Sequence, residues 1–347
     1  MSLRLTVDAR VVVEDTRGIG RYARAILRRL VARGDVELTL LVPGLLPFLR
    51  RAAYERALGS SRFLLRSRAG RRGVIWHPAN GTFFSSRLPS VVTLHDAVPF
   101  RFPADDPRKR AHDQQPFLRS VRTADRIVAV SNFGRDEICA VFGVAREGVE
   151  VIYHGVEPSF SPGVAQGLPN GILPGKYLLF VGDPLGEPRK NFAMLYEALN
   201  RAWPDGNGPL LVVAGARAPE LPRVRHAGNL GDDLHGSGNE AMRALYRGAI
   251  ALAMASYHET FGMPAIEAMA CGTPVVASAA SCLPEIGGDA PLYAPPGDVP
   301  AWADALRRVV AEPALRDRLR VAGLERATHF DWETSAGRHA ELFASLQ

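Results

Sequence analysis

Residues 250–277 read IALAMASYHETFGMPAIEAMACGTPVVA, and the local pattern of this stretch decides the fold class. Its apolar beginning predicts a buried strand, and a short turn containing Gly262 follows. Pro264 stands where a helix can begin, because its missing N–H costs nothing at a first helical position, and Gly272 stands where that helix would end. The strand, turn and helix would present free N-terminal amide groups that suit a phosphate anion.

The same alternation of apolar runs and helical stretches extends along the whole chain. The runs are rich in Val, Ile and Leu, as buried parallel strands are. We therefore predict an α/β fold of two Rossmann-like, doubly wound parallel-sheet domains that face each other across a cleft. The predicted strands are residues 3–8, 37–42, 63–65, 74–76, 91–94, 127–130, 149–153, 177–181, 210–214, 250–255 and 275–277.

A stretch rich in proline and glycine, residues 157–175, is the best candidate for a domain boundary. We predict an N-terminal domain over residues 1–160, a linker over 161–175 and a C-terminal domain over 176–330. Residues 331–347 are expected to form a helix that packs back toward the N-terminal domain. Open α/β sheets bind ligands at the carboxyl ends of their strands, so we expect the chemistry there.

Length and composition indicate a two-domain globular protein of 347 residues, 47% of them hydrophobic and 22% charged. The three cysteines are sparse and lack metal-ligand spacing, which argues for a reducing compartment. The sequence shows neither a signal-peptide pattern nor an apolar run long enough to cross a membrane. We therefore expect a cytoplasmic location.

The net charge of +6 is distributed unevenly. Residues 1–170 hold 26 Lys and Arg against 16 Asp and Glu, a net +10, whereas residues 171–347 hold 16 against 20, a net −4. The basic half indicates an anionic partner, for which a membrane surface, a phosphorylated lipid and a nucleic acid are the candidates.

Four arginines share one face of a predicted helix that begins near residue 19. A solvated face is the more ordinary interpretation of such a pattern. The sharper interpretation is a helix that contacts anionic lipid, which would place the protein peripherally at the inner face of the membrane. These residues are Arg17, Arg21, Arg24 and Arg28.

Two carboxylates in the opening stretch, Glu259 and Glu267, are eight positions apart. Glu259 precedes the predicted helix and Glu267 lies a turn inside it. Helical side chains lean toward the helix N-terminus, so we expect Glu267 to reach the same pocket as Glu259. The alternative is that both acids only complement the positive end of the helix.

A second basic pair, Arg189 and Lys190, stands where a strand and loop lead into a helix. Arginine offers a planar fork and lysine a point charge, and together they suit a diphosphate. The alternative is a solvated helix start. Cations at a helix N-terminus are electrostatically unfavourable without an anion, and lysine is rare in this chain, with three against 39 arginines, so we favour the diphosphate.

The N-terminal half contains two further candidates. His95 and Asp96 end the strand SVVTLHD, a position in which a histidine is a reasonable catalytic candidate, with Asp96 orienting it. A lone histidine is more often structural. Gly18 and Gly20 precede a helix, as in a turn that approaches phosphate, although a single G-x-G is weak evidence.

Residues 259–276, ETFGMPAIEAMACGTPVV, resemble the E-x7-E signature of retaining glycosyltransferases of the GT-B fold, the group 1 or family 4 class. PRKN at 188–191, GIGRY at 18–22 and HD at 95–96 are similar to further motifs of that family, as is SAASCLPEIGGDAPLYAPPGD at 278–298. The loop from Gly182 to Pro188 is about two residues longer than is usual. Residues 223–246 carry a Gly-rich extension near where the nucleotide base would bind.

The resemblance implies roles for residues of both halves. Glu259 would touch the donor sugar and Glu267 the ribose, while Arg189 and Lys190 would hold the donor diphosphate. His95 would lie near the reacting carbon of the sugar. The catalytic candidates are therefore His95, Glu259, Arg189 and Lys190, and the substrate-binding candidates are Gly18, Gly20, Asp96, Phe261, Gly262, Met263, Glu267 and Glu285.

The resemblance also implies a reaction: transfer of a sugar, with GDP-mannose as the expected donor, to a glycan or lipid-linked acceptor with retention of configuration. The N-terminal domain would serve the acceptor and the C-terminal domain the donor. The chain has no D-x-D triplet, so we expect no metal, and the nucleotide sugar is a substrate, so we expect no cofactor.

Two other functions stay open from sequence. One is a sugar-nucleotide epimerase on the same fold, and the other is a nucleic-acid-binding protein that uses the basic N-terminal half. Because the chain has no recognition motif and no aromatic ladder among its basic residues, we expect no nucleic-acid partner.

Overall fold

The computed structural model describes residues 2–16, 18–44, 46–169, 171–230 and 240–347. Arg17 of the four-arginine helix face and residues 231–239 of the Gly-rich extension lie outside the described residues. The chain forms two compact units. The first contains the residues up to Gly155 together with Asp331–Gln347, and the second contains the described residues from Val156 to Phe330.

The first unit contains a seven-stranded sheet in which every pairing is parallel. Its strands are β1 (Leu3–Asp8), β2 (Val36–Leu41), β3 (Leu64–Arg66), β4 (Val74–His77), β5 (Ser90–Leu94), β6 (Arg126–Ala129) and β7 (Val149–Val151). Their order across the sheet is β3-β2-β1-β4-β5-β6-β7. Its helices are α1 (Arg10–Glu14), α2 (Gly18–Arg33), α3 (Arg51–Leu58), α4 (Val98–Arg101), α5 (Pro107–Thr123), α6 (Asn132–Phe142) and the last helix of the chain, α13 (Trp332–Ala344).

The second unit contains a six-stranded parallel sheet. Its strands are β8 (Tyr177–Val181), β9 (Leu210–Ala214), β10 (Val224–Gly228), β11 (Ala251–Met254), β12 (Val275–Ser278) and β13 (Leu292–Ala294). Their order is β10-β9-β8-β11-β12-β13. Its helices are α7 (Phe192–Ala202), α8 (Glu240–Gly248), α9 (Met263–Ala270), α10 (Leu283–Gly287), α11 (Val299–Ala311) and α12 (Pro313–Ala327).

The structure confirms the predicted α/β fold with two parallel sheets, and most predicted elements differ from it by one or two residues. The elements that the sequence patterns missed include β10 and β13, which are the two edges of the second sheet. Edge strands are not buried on both faces, so they lack a continuous apolar run. In β10 the exposed Arg225 and His226 interrupt the apolar pattern, and β13 has only three residues.

In each sheet the side on which successive strands are added changes once. In the first sheet the chain passes from β1 outward to β2 and β3 and then returns to the other side of β1 with β4. In the second sheet it passes from β8 to β9 and β10 and returns beside β8 with β11. The loops after β1 and β4, and those after β8 and β11, therefore diverge at a topological switch point, where open α/β sheets bind ligands.

At Arg24 and Arg28 the predicted arginine face of α2 is not a solvated surface, which corrects the more ordinary sequence interpretation for these two residues. Arg24 is only 1% exposed and donates hydrogen bonds to the carbonyls of Val12 (3.0 Å) and Asp15 (2.7 Å). Arg28 is half-buried and donates from Nε to the carbonyl of Ala57 at 2.9 Å. These two guanidinium groups hold neighbouring backbone of the same unit, so they do not form a free cationic face for lipid.

A buried series of hydrogen bonds connects helix α13 to the rest of the first unit, and the donor and acceptor of each bond can be assigned. His339 Nδ1 lies 2.7 Å from the carbonyl of Ser335, which can only accept, so Nδ1 carries the proton and Nε2 accepts from the hydroxyl of Tyr22 at 2.6 Å. The hydroxyl of Thr93 then donates to Tyr22 (3.0 Å) and accepts from Trp76 Nε1 (3.0 Å). Each donor along this chain is satisfied only while His339 is neutral.

Burial keeps this part of the unit uncharged. It lowers the pKa of His339 from 6.5 to about 4, and it also lowers the pKa of the neighbouring His95 and His154.

Within the described residues, no helix is both long enough and apolar enough to cross a membrane.

Replacing Gly20 by Ala is expected to destabilise the protein, because the added Cβ would lie 1.7 Å from the backbone oxygen of Asp15. Overpacking of this kind costs about 1–3 kcal/mol. Gly18→Ala is the matched control, since a Cβ there meets nothing within 4 Å and Ala favours the helix by up to about 1 kcal/mol. Denaturant unfolding of both variants measures the difference, and equal stabilities would contradict the packing argument.

Replacing His339 by Gln is expected to make stability less sensitive to acid. In the wild type His339 takes up a proton near pH 6.5 when the chain is unfolded, but only near pH 4 when the protein is folded. The contribution of His339 is therefore complete above pH 6.5 and is lost as the pH falls toward 4, by up to about 1.4 kcal/mol per pH unit. Unfolding free energies between pH 7 and 4 should show a smaller slope for His339→Gln, while the exposed-site control His112→Gln should follow the wild type. Identical slopes for all three proteins would refute the assignment.

Candidate functional site

Three neighbouring strands of the second sheet, β8, β11 and β12, end at the same edge because all are parallel. The segments that follow them contain Arg189 and Lys190, Glu259, and Ser281 respectively. The topology thus brings together residues that are up to 92 positions apart in the sequence. The candidate site lies at the switch point of this sheet.

Glu259 is the centre of this site and is only 9% exposed. Its Oε1 accepts from Lys190 Nζ at 3.0 Å and from the hydroxyl of Ser256 at 2.8 Å, and its Oε2 lies 3.4 Å from Arg189 Nη1. Its backbone N–H donates to the hydroxyl of Ser281 at 3.0 Å. Each of the three strand-end segments therefore contributes a contact to Glu259.

The charge state of Glu259 follows from these contacts. Burial alone raises the pKa of its carboxyl, but the charges of Lys190 and Arg189 and the hydrogen bonds from Lys190 and Ser256 outweigh burial and leave the pKa below its ordinary value. Glu259 is therefore a carboxylate at neutral pH. Lys190 has three donor hydrogens on Nζ, of which this carboxylate accepts one.

The segment before α7 is fixed by contacts with the segment after β11. Arg189 pairs with Glu187 at 2.6 Å, and its carbonyl accepts from the backbone N–H of Tyr257 at 2.8 Å. Asn191 adopts a left-handed conformation, with φ of 58°, and donates from Nδ2 to the carbonyl of Ala255 at 3.2 Å. Asparagine tolerates this conformation better than most residues, and here it ends a 3-10 turn over Pro188–Lys190.

The structure corrects one step of the sequence argument for Arg189 and Lys190. The two cations at this helix start do not require a bound anion, because the protein itself supplies the carboxylates of Glu187 and Glu259. The ion pairs balance the two positive charges. The case for a diphosphate here therefore depends on the position of the cluster at the strand ends.

Gly182 makes room for the side chain of Lys190. A Cβ on Gly182 would lie 2.3 Å from Lys190 Cδ and 2.7 Å from Cε, and its φ of 144° lies in a region that favours glycine. The long loop after Gly182 is internally ordered by Asp183, whose Oδ1 accepts from the amides of Leu185 and Gly186. The extra residues therefore form a compact turn.

Helix α9 begins at the site as the sequence predicts. Gly262 caps it with a left-handed φ of 82°, and a Cβ there would lie 3.0 Å from Leu283 Cδ2. Met263 is the first helical residue and is half-buried, and Pro264 stands in the first turn. Phe261 is buried edge-on against Phe330, with ring centroids 5.7 Å apart. The first-turn amides of α9 give this end of the helix a partial positive charge.

The second carboxylate of the motif, Glu267, is 3% exposed and accepts a hydrogen bond from the hydroxyl of Tyr246 at 2.9 Å. Glu285 lies on the short helix α10 and is half-buried. The carbonyls of Glu285 and Ile286 accept from Arg326 at 2.6 and 2.8 Å, which fixes α10 against α12. A shared pocket for Glu259 and Glu267 stays a prediction.

In the first unit, His95 follows β5 and is 6% exposed. Its Nε2 lies 2.8 Å from the carbonyl of Pro78, so Nε2 carries the proton of the neutral ring and Nδ1 is the acceptor. Asp96 does not bind this ring. It accepts from Asn80 Nδ2 at 3.2 Å and from the amide of Val98 at 3.0 Å, and Asn80 Oδ1 in turn accepts from the His95 amide at 2.5 Å. Asp96 therefore acts on His95 through Asn80.

Gly18 and Gly20 open helix α2 of the same unit. Gly18 is exposed with open space around its Cα, whereas Gly20 is buried and packs against the backbone oxygen of Asp15. Tyr22, one turn further, places its ring edge-on to the ring of His95 with centroids 4.8 Å apart. The first turn of α2, which carries the two glycines, is thus connected to His95 through Tyr22.

Several polar residues of the strand ends were missed in the sequence. Asp8 ends β1 and is 4% exposed, held by Arg10 at 2.9 Å and by His77 of β4 at 3.5 Å. Asp8 and His77 carry the same signal that singled out His95, a polar residue at the carboxyl end of an apolar strand. Asn80 and Ser281 lie in loops and offer no comparable signal.

Two family models of known proteins match the chain, one in each half. Residues 16–160 match the family model described as "Glycosyltransferase Family 4", and residues 175–312 match the one described as "Glycosyl transferases group 1". The chain is 29% identical to "O-antigen chain mannosyltransferase B" of Escherichia coli, covering 91% of this chain and 93% of that protein. It is 32% identical to "D-inositol 3-phosphate glycosyltransferase" of Saccharomonospora viridis, covering 69% and 59% respectively.

The fold is also that of solved glycosyltransferase structures. Anabaena HepE in complex with UDP-glucose superimposes with a TM-score of 0.68 at 16% identity, covering the whole of both chains. That identity supports a shared fold alone. The two family models, the parallel sheets and the cluster at the second switch point lead to one conclusion: the chain belongs to the group 1 and family 4 glycosyltransferases and has their GT-B fold.

Proposed function

We propose that this glycosyltransferase moves a mannosyl group from GDP-mannose to a glycan or lipid-linked acceptor with retention of anomeric configuration. The observation that carries the proposal is the cluster of Lys190 and Arg189 on the buried carboxylate of Glu259, at the switch point of the second sheet. The choice of mannose is supported by the likeness to the O-antigen mannosyltransferase over nearly the whole chain.

In this proposal the donor diphosphate binds beside Lys190, Arg189 and the amino end of α9. Lys190 and Arg189 offer further donor hydrogens to phosphate oxygens, and the α9 amides add partial positive charge. These groups stabilise the negative charge that develops on the leaving diphosphate as its bond to the sugar breaks. Phosphate handling by two side-chain cations and a helix end needs no metal, and we propose that none takes part.

The acceptor hydroxyl forms the new bond to the anomeric carbon while the carbon–oxygen bond to the diphosphate breaks. The proton of the hydroxyl passes to an oxygen of the departing phosphate, so no protein nucleophile is required. We assign Glu259 to the donor sugar and Glu267 to the ribose. We assign neutral His95 to the sugar near its reacting carbon, with Asn80 and Asp96 as its positioning residues.

The proposed acceptor and location rest on the likeness to a mannosyltransferase and on the positive charge of the first half of the chain. A glycan or lipid-linked acceptor fits a mannosyltransferase of polysaccharide synthesis, and the basic first half fits work in the cytoplasm at an anionic membrane surface. Because Arg24 and Arg28 bind backbone, peripheral contact would use other residues of that half.

The donor assignment is tested by nucleotide-sugar binding, measured as thermal stabilisation by a panel of GDP- and UDP-sugars. GDP-mannose at about one hundred times its dissociation constant should add about 2.7 kcal/mol to the stability of the wild type. Glu267→Ala should lose this gain, whereas Glu312→Ala, at an exposed glutamate of the second unit, should keep it. Stabilisation by a UDP-sugar alone would overturn the choice of donor.

The transfer itself is tested with an acceptor preparation. Release of free GDP only when an acceptor is present is expected for a glycosyltransferase and would exclude an epimerase. Release of GDP that is independent of acceptor, or isomerisation of the sugar on the nucleotide, would contradict the proposal.

Gly182→Ala should weaken donor binding by displacing Lys190, with which the new Cβ would collide at 2.3 Å. Loss of one charge-assisted contact corresponds to about tenfold or more in dissociation constant. Gly206→Ala is the matched control: it has a positive φ of 81° but no atom within 4 Å of the added Cβ. Calorimetry should find weaker donor binding only for Gly182→Ala, and equal binding by both variants would show that Lys190 does not hold the donor.

A further inference from the structure

One face of the first sheet carries a cavity, lined by both apolar and charged residues, that the glycosyltransferase site does not use. A cavity of about 610 Å³ lies over β1, β2 and β3, and a second of about 560 Å³ shares three lining residues with it near the amino ends of β1 and β4. Paired residues of parallel strands point to the same side, so Thr6, Thr39 and Leu64 share one face of the sheet. The connection from β3 to β4, residues 67–73, is a loop where such folds usually have a helix.

This connecting loop is held in place. Gly73 has a φ of 96°, and a Cβ there would lie 2.2 Å from the backbone oxygen of Arg4. The same oxygen accepts from the side chain of Gln347 at 3.1 Å. The close approach fixes Arg71 and Arg72, which precede Gly73, beside Arg4 at the boundary of the two cavities.

The lining of the two cavities is strongly basic. Six arginines line them, and we call this set the arginine groove: Arg4, Arg62, Arg66, Arg71, Arg72 and Arg87. Among the described lining residues the acidic one is Glu37, and it pairs with Arg4 at 3.0 Å. All six arginines are exposed to solvent. The groove therefore concentrates six positive charges, of which Glu37 balances one.

We propose that the arginine groove is a second binding site, for a ligand that carries two or more phosphoryl groups. Guanidinium groups bind phosphate oxygens through paired, charge-assisted hydrogen bonds, and several arginines around one cavity suit several phosphates. The cavity volume lies within the range of small-molecule sites. Free oligophosphates and the headgroup of a diphosphorylated lipid share this chemistry.

The shape and lining favour such a ligand over other polyanions. A concave surface accepts a headgroup or a small anion better than the flat surface of a bilayer as a whole. Phe63, the aromatic residue of the lining, is only 5% exposed, so the groove offers no stacking platform for single-stranded nucleic acid.

The site is separate from the residues assigned to transfer. The groove lies on β3, β2 and β1, whereas His95 follows β5, and none of its lining residues belongs to the proposed donor or catalytic set. Binding at the groove and donor binding can therefore be measured independently, and failure of either leaves the other standing.

The test is calorimetric titration with inorganic tripolyphosphate at physiological ionic strength. The variant that replaces Arg71 and Arg72 by Glu should bind at least tenfold more weakly than the wild type. Replacement of Arg108 and Arg122 by Glu, at two exposed arginines of α5, makes the same change in net charge and should bind as the wild type does. Arg72→Gln, a milder change, should show an intermediate loss, and thermal melting checks that each variant is folded.

A parallel measurement uses phosphatidylcholine vesicles with and without cardiolipin, a lipid with two phosphates. Loss specific to the Arg71 and Arg72 variant with tripolyphosphate assigns a free oligophosphate, and the same loss with cardiolipin vesicles assigns a lipid headgroup. Absence of binding to both probes by the wild type, equal loss in the two charge-reversal variants, or tighter binding of duplex DNA than of either probe would overturn the proposal.

Discussion

The ion pair between Lys190 and Glu259 is the interaction on which the candidate donor site depends. A buried carboxylate and a buried ammonium group each lose hydration, and neither would be tolerated alone. Here Arg189 and Ser256 complete the coordination of Glu259, so the carboxylate stays charged. The pair also joins the segment after β8 to the segment after β11, and thereby fixes the geometry of the switch point.

The backbone around the Lys190–Glu259 ion pair adopts unusual conformations at three positions. Gly182 lacks a side chain because Lys190 passes over it, and Asn191 and Ser281 adopt left-handed conformations that place Lys190 and Glu259 toward each other. Residues other than glycine hold such conformations only where the surroundings compensate the strain, and functional sites are where they concentrate. The site is thus preorganised by backbone geometry as well as by charge.

The first unit is organised on a different physical basis. Burial lowers the pKa of His95, His154 and His339. The hydrogen bonds from Trp76 through Thr93 and Tyr22 to His339 connect the sheet to the last helix of the chain. Tyr22 packs edge-on to His95, so the same chain limits the movement of the proposed catalytic ring. The arginine groove lies over β1, β2 and β3 of the same sheet, and its arginines are not among the residues assigned to sugar transfer.

The sequence by itself determined the two-sheet α/β fold, because buried parallel strands must be apolar and because Pro264 favours the start of a helix and Gly272 its end. It also pointed to Glu259, Lys190, Arg189 and His95 as candidate site residues, because their motifs are local. It could not find the edge strands, because exposed polar residues interrupt the apolar pattern of β10 and because β13 has only three residues. Only the tertiary structure decided that Arg24 is buried, that Asp96 reaches His95 through Asn80 and that Glu187 and Glu259 balance the two cations. The contacts of Asp96 with Asn80, and of Glu259 with Arg189 and Lys190, join residues that are well separated in the sequence. The strand order brings these residues together, and a local sequence pattern does not contain that information.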